Sequence, residues 1–117
     1  MSKELDYEIG SGNVFADLGL PDAEELKAKA DLLIEIRQII QERGLTQADA
    51  AQVMGIDQPK VSALVRGKLE GFSMERLYRF LNALGRDVEI VVKPKPTNRK
   101  AATLSVTRLR GRRPSKV

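Results

Sequence analysis

The stretch Thr46-Gln-Ala-Asp-Ala-Ala-Gln-Val-Met-Gly-Ile-Asp-Gln-Pro-Lys-Val-Ser-Ala-Leu-Val-Arg-Gly67 decides the fold. Thr46 is an N-cap residue with Asp49 at the third helical position, and Gly55 stops the short helix that follows. Asp57 can cap a second helix, whose first turn accepts Pro59 because the missing amide hydrogen would be unpaired there in any case. Two short helices that meet steeply need a small residue at the contact and a glycine where the backbone turns left-handed, and Ala51 and Gly55 supply them. Apolar anchors must face the rest of the domain, and Ala50, Met54, Ile56, Val61 and Leu64 fall at those places. Seven positions satisfied together in one short stretch specify a helix-turn-helix.

Working outward, the chain before this motif reads as a long amphipathic helix over residues 22–43. Pro21 stops backward propagation, Asp22 and Glu25 stand as a capping box, and Gly44 closes the end. Its apolar stripe runs through Leu26, Ala30, Leu33, Ile36 and Ile40, widened by Leu32, Ile34 and Ile39. After the motif, Ser73 caps a fourth helix carrying Leu77, Phe80, Leu81 and Leu84, with Gly85 beyond it; Phe72 and Phe80 read as core. The period then drops from 3.6 to 2 over residues 87–93, Asp-Val-Glu-Ile-Val-Val-Lys, until Pro94 and Pro96 end it. The expected fold is mainly α, a four-helix bundle followed by one C-terminal β-strand. A lone strand cannot satisfy its backbone, so residues 87–93 are expected to pair across a two-fold axis with a second copy, with Val88, Ile90 and Val92 packed on the first and fourth helices. The competing arrangement is an internal hairpin with residues 103–109. Residues 1–21 read as an N-terminal arm with a short extended piece at 13–18, residues 22–93 as the DNA-binding domain, and residues 94–117 as a flexible basic tail.

Composition narrows the function. At 117 residues the chain supports one core, and aromatic residues at 4% make that core aliphatic. The absence of Cys and His removes thiolate and imidazole metal sites and any Ser-His or Cys-His hydrolase. The acids Glu24, Glu25, Glu35 and Glu42 read as a solvated helix face, not a catalytic pair, so no enzyme, cofactor or metal is expected. No run approaches a bilayer span, and the opening MSKELDYEIG lacks the apolar stretch of a secretory signal, which implies a cytoplasmic protein without a membrane partner. Charge is unevenly placed: nine of the 20 Lys and Arg lie beyond residue 92, leaving 11 against all 16 acids in the first 92 residues. A body of net −5 therefore carries a tail of +9, suited to a polyanion or simply to solvent.

The second helix of the motif leaves Gln58, Pro59, Lys60, Ser62, Ala63 and Arg66 on or near its outward side. The Gln58 amide can both donate to and accept from adenine in the major groove, and Lys60 can reach guanine or phosphate. Ser62 and Ala63 permit close approach, and the Ala63 methyl suits thymine. Gln47 stands at a helix amino end that favours phosphate, while Arg66 and Lys68 are placed for the DNA backbone.

This motif resembles the Xre-type helix-turn-helix of phage lambda-like repressors. The runs at residues 12–21, 61–73 and 84–85, with the strand, resemble the HigA-type antitoxin regulators over roughly residues 10–95. That resemblance implies a dimeric repressor of its own operon, bound to a double-stranded operator palindrome, and a HigB-like ribonuclease toxin as partner. The tail beyond Lys95 lies outside the resemblance. Two other readings stay open: a stand-alone Xre-type regulator, and a protein whose main task is to inhibit a toxin through the acidic residues 1–25.

Overall fold

In the computed structural model the described residues are Ala16, Leu18, Gly19 and 22–109. The remaining residues of the N-terminal arm and the last eight of the tail lie outside that set. Among the described residues the chain forms α1 (Ala23–Glu42), α2 (Gln47–Met54), α3 (Gln58–Val65) and α4 (Met74–Ala83). Of the extended piece expected at 13–18 only Ala16 and Leu18 are described, in a turn where the Ala16 carbonyl accepts a 2.9 Å hydrogen bond from the Gly19 amide; the rest of that piece lies outside the described residues.

The helix starts divide into one departure and three agreements. Asp22 sits at φ 57° and its side chain caps nothing. In that left-handed conformation, which Asp tolerates better than most residues, the first turn is closed by the Leu26 amide on the Asp22 carbonyl at 2.9 Å. Glu25 turns to Lys29 at 3.8 Å, so the expected capping box is absent; Glu24 and Glu25 still place negative charge at the positive end of the helix dipole. Thr46, Asp57 and Ser73 each accept from the amide three residues on, at 3.0, 3.1 and 3.1 Å.

α1 lies along α4, α2 packs on α3, and further contacts join α1 to α3 and α2 to α4. The core between them is Leu32, Leu33, Ile36 and Ile39 of α1, Ala50, Ala51 and Met54 of α2, Val61 and Leu64 of α3, and Leu77, Phe80 and Leu81 of α4, joined by Leu69, Phe72 and Leu84. Ile34, expected to widen the α1 stripe, is exposed, because at about 100° per residue it lies about 160° around the helix from Ile36, on the side away from the core. The Phe72 and Phe80 rings meet edge to face, 5.9 Å apart at 74°, with the Arg76 guanidinium 5.2 and 5.5 Å from their centroids.

Beyond α4 the described residues contain no β-ladder. Of the three side chains expected to pack from residues 87–93, only Val88 touches the core; Ile90 and Val92 are exposed in the single chain. The chain then turns at residues 97–98 and comes back along α1. The Leu104 amide donates to Glu24 Oε1 at 3.0 Å, Val106 packs on the core, and Arg108 Nε lies 3.4 Å from Glu35 Oε1. Residues 24, 35 and 42 fall within about 20° of one another around a helix of 3.6 residues per turn, so they form one acidic stripe. Arg86 reaches the same stripe at Glu35 (4.0 Å) and Glu42 (3.8 Å). The reading of these acids as a solvated face therefore fails at Glu35, whose side chain is only 18% exposed beneath the returning segment.

Candidate nucleic-acid interface

α2 and α3 are joined by three residues, and the angle between them is set at Gly55. Its φ of 75° lets the Gly55 and Ile56 amides both donate to the Ala51 carbonyl, at 2.8 and 3.1 Å. The chain is thereby turned at once into Asp57, whose carboxylate accepts from the Lys60 amide. That bond matters for function as well as folding, since it commits the carboxylate to its own helix and fixes the first turn of α3 with Gln58 leading. Eight residues of α3 span about 12 Å, comparable with the width of the DNA major groove.

Gln58, Pro59 and Lys60 are exposed on this first turn. Ser62 and Ala63 are half-buried, so they border the outward face without standing on its crest. α3 ends in the paired bonds Gly67 amide to Leu64 carbonyl (2.9 Å) and Lys68 amide to Ala63 carbonyl (3.0 Å). This closing turn holds Arg66 and Lys68 exposed at the helix end. Gln47 is the exposed first residue of α2. The Thr46 hydroxyl takes the Asp49 amide and the Asp49 carboxylate takes the Thr46 amide, leaving the Gln47 and Ala48 amides as the open donors of that turn.

The structure brings Lys60, Ala63 and Lys68 together around one open depression of about 300 Å³, completed by Glu70, Gly71 and Phe72. Phe72 is buried and links the depression to α4 through its ring contact with Phe80. The sequence reading assigns Glu70 no role although it stands two residues from Lys68, and it puts a carboxylate beside two lysines that would otherwise form a purely cationic edge. The exposed Gln52 and Val53 of α2 were likewise not foreseen. Among the described residues no group of three His, Cys, Asp or Glu could hold a metal ion, and no helix is long and apolar enough to cross a membrane.

Two short capped helices held over a glycine turn, with the second exposing polar and basic side chains, define a helix-turn-helix protein. Residues 14–93 match the family profile described as a helix-turn-helix domain. A solved structure of an XRE family transcriptional regulator is 53% identical, with a TM-score of 0.72; the match covers 76% of this chain and 100% of that one. No curated protein matches the chain. The chain belongs to the XRE family of helix-turn-helix transcriptional regulators.

Proposed function

We propose that this regulator is a dimeric, sequence-specific repressor of its own operon and the antitoxin of a type II toxin-antitoxin pair. The observation that carries the DNA-reading part is the first turn of α3, where Gln58, Pro59 and Lys60 stand exposed while the carboxylate that precedes them, Asp57, is spent on the cap. In this reading Gln58 recognises adenine through paired hydrogen bonds, Lys60 meets guanine or phosphate, and the Ala63 methyl contacts thymine beside Ser62. Gln47, Arg66 and Lys68 hold the DNA backbone at the two ends of the motif.

Dimerisation rests on residues 87–93, which lie in no helix or ladder of the single chain and leave Ile90, Val91 and Val92 exposed. Symmetric antiparallel pairing would satisfy that backbone and link two reading heads. The antitoxin assignment rests on the resemblance of residues 10–95 to HigA-type regulators, and on the acidic residues 1–25, where seven acids stand against Lys3 alone. Such a segment suits a basic, HigB-like ribonuclease surface.

The deciding experiment is a gel shift with the DNA upstream of the gene. A palindrome with half-sites about 10–11 base pairs apart, or a multiple, should bind in the nanomolar range, with strong preference over random duplex. No preference would refute sequence-specific repression. Co-expression with the neighbouring open reading frame tests the second part: capture that is lost on deletion of residues 1–20 supports the antitoxin, and failure of capture leaves a stand-alone regulator.

A further inference from the structure

We propose that residues 93–100, Lys-Pro-Lys-Pro-Thr-Asn-Arg-Lys, form a second binding surface for duplex DNA, one that grips the phosphate backbone outside the helix-turn-helix. The proposal rests on the DNA-binding reading above and adds a site to it.

Charge is the first observation. Four cations, Lys93, Lys95, Arg99 and Lys100, fall within eight residues, and no acid occurs from there to the end of the chain. The cations on either side of this loop are already used: Arg86 pairs with Glu35 and Glu42, and Arg108 pairs with Glu35. Among the described residues no carboxylate lies within 4.0 Å of the four loop cations. The fold thus neutralises its acidic stripe with Arg86 and Arg108 and leaves the loop's charge for an outside anion.

Shape is the second. The Arg99 amide donates to the Pro96 carbonyl at 3.2 Å and closes a turn. Lys95 Nζ donates to the Pro96 carbonyl at 3.2 Å and to the Arg99 carbonyl at 2.6 Å, while the Arg99 guanidinium donates to Thr103 Oγ1 at 2.7 Å. Lys95 and Arg99 therefore build the loop, and Lys93 and Lys100 project from it, exposed. Both ends are anchored, by Val88 on one side and by Leu104, Val106 and Arg108 on the other. Two prolines and these bonds reduce the conformational entropy that an unstructured basic tail would lose on binding.

The chemistry of the loop selects the partner. With no aromatic or aliphatic side chain between residues 93 and 100 other than the prolines, it offers no stacking platform for single-stranded bases and no apolar anchor for a protein hot spot. Cations alone read the phosphate array of a duplex. The longest dimension of the molecule is 46 Å, so the loop can reach no farther than about 14 base pairs from the reading helix at 3.4 Å per pair.

The test compares the full-length wild type with the Lys93→Gln, Lys100→Gln double variant, which spares the loop-building Lys95 and Arg99. Anisotropy titrations between 50 and 200 mM salt use an operator-length duplex and the same duplex flanked by 14 base pairs of random sequence on each side. On the flanked duplex, long enough to hold every phosphate within the loop's reach, the variant's slope of log K against log salt should fall by about 1.8 units per subunit, at about 0.9 per phosphate. End effects of short duplexes are common to both proteins and cancel in this comparison. Equal slopes for the two proteins on the flanked duplex overturn the proposal, and so does a difference that appears only with an RNA duplex of the same length. Failure of operator recognition would show separately, as loss of preference over scrambled DNA with the slope difference intact.

Discussion

The Arg43 guanidinium donates a 3.1 Å hydrogen bond to the Leu84 carbonyl, joining the C-terminal ends of α1 and α4 across 41 residues of chain. Both ends carry orphan carbonyls and the negative pole of a helix dipole, so one guanidinium serves two needs at once. Arg86 completes the exchange by reaching from beyond α4 to Glu42 on α1. Since the α1 and α4 pair is the platform on which α2 and α3 rest, this junction governs the stability of the DNA-reading unit without touching it.

Arg43→Ala should therefore destabilise the domain by about 1 kcal/mol, the size of a partly exposed charge-assisted hydrogen bond. Arg79→Ala, which removes only the surface pair with Glu75, should change stability by less than about 0.5 kcal/mol. Urea unfolding followed by helical circular dichroism measures both, and equal losses would show that the junction contributes nothing special.

Gly55→Ala isolates backbone strain from packing. A Cβ built at Gly55 meets nothing within 4 Å, so no neighbour has to move. The whole cost comes from holding alanine at φ 75°, about 1–2 kcal/mol, and the midpoint in urea should fall accordingly with the slope unchanged. A neutral substitution would show that the turn between α2 and α3 can open.

The legibility of this fold in its sequence follows from where its instructions are local. Thr46, Asp57 and Ser73 cap helices through the amide three residues on, and Gly55 and Gly67 close them, so each boundary is written within one turn. The core residues of α2 to α4 follow from helical spacing for the same reason. Asp22 broke the rule because its own left-handed backbone conformation leaves the carboxylate without a bond to the first turn. Glu35 broke it because the segment that covers it arrives from residue 108, and no periodicity within α1 announces a distant partner. Glu70 entered the interface in the same manner, through the path of a loop. The alternation of residues 87–93 predicts a strand, and the described residues hold none there, because a strand needs a partner that its own alternation does not encode.

Gln58→Ala should weaken specific operator binding by about 1–3 kcal/mol and leave binding to random duplex nearly unchanged, since it removes base readout and no charge. Gln58 is exposed at the start of α3 and neither caps nor packs, so the fold is spared. Titration of both duplexes at one salt concentration decides it, and equal loss on the two would remove Gln58 from base recognition.

Lys68→Ala should act in the opposite manner. The backbone of Lys68 closes α3 through its amide on the Ala63 carbonyl, a bond that alanine keeps, so only the ammonium is lost. Binding should weaken on all sequences alike, and the salt slope should fall by about 0.9 unit for one phosphate contact. Glu70, beside Lys68 in the same depression, provides an internal comparison: Glu70→Gln should raise affinity on every sequence by removing a carboxylate from the phosphate-facing edge. A constant slope in the first variant would place Lys68 off the DNA.

Ile90→Pro tests the paired-strand dimer. In the single chain Ile90 is 73% exposed and Val92 91%, and among the described residues neither lies in a ladder, so proline at 90 removes no core contact and no backbone bond within the subunit. Between subunits it would remove a ladder donor from the centre of the strand. Burying Ile90 and Val92 at such an interface would contribute roughly 1.5–3 kcal/mol each before the cost of association is subtracted. Sedimentation at about 20 μM should show wild type as a dimer and the variant as a monomer with its helical circular dichroism retained. Operator affinity should fall with it, since two reading heads no longer share one effective concentration. A wild type that sediments as a monomer, or a proline variant that stays dimeric, would move the subunit contact away from residues 87–93 and leave the returning segment on α1 as the only function of this part of the chain.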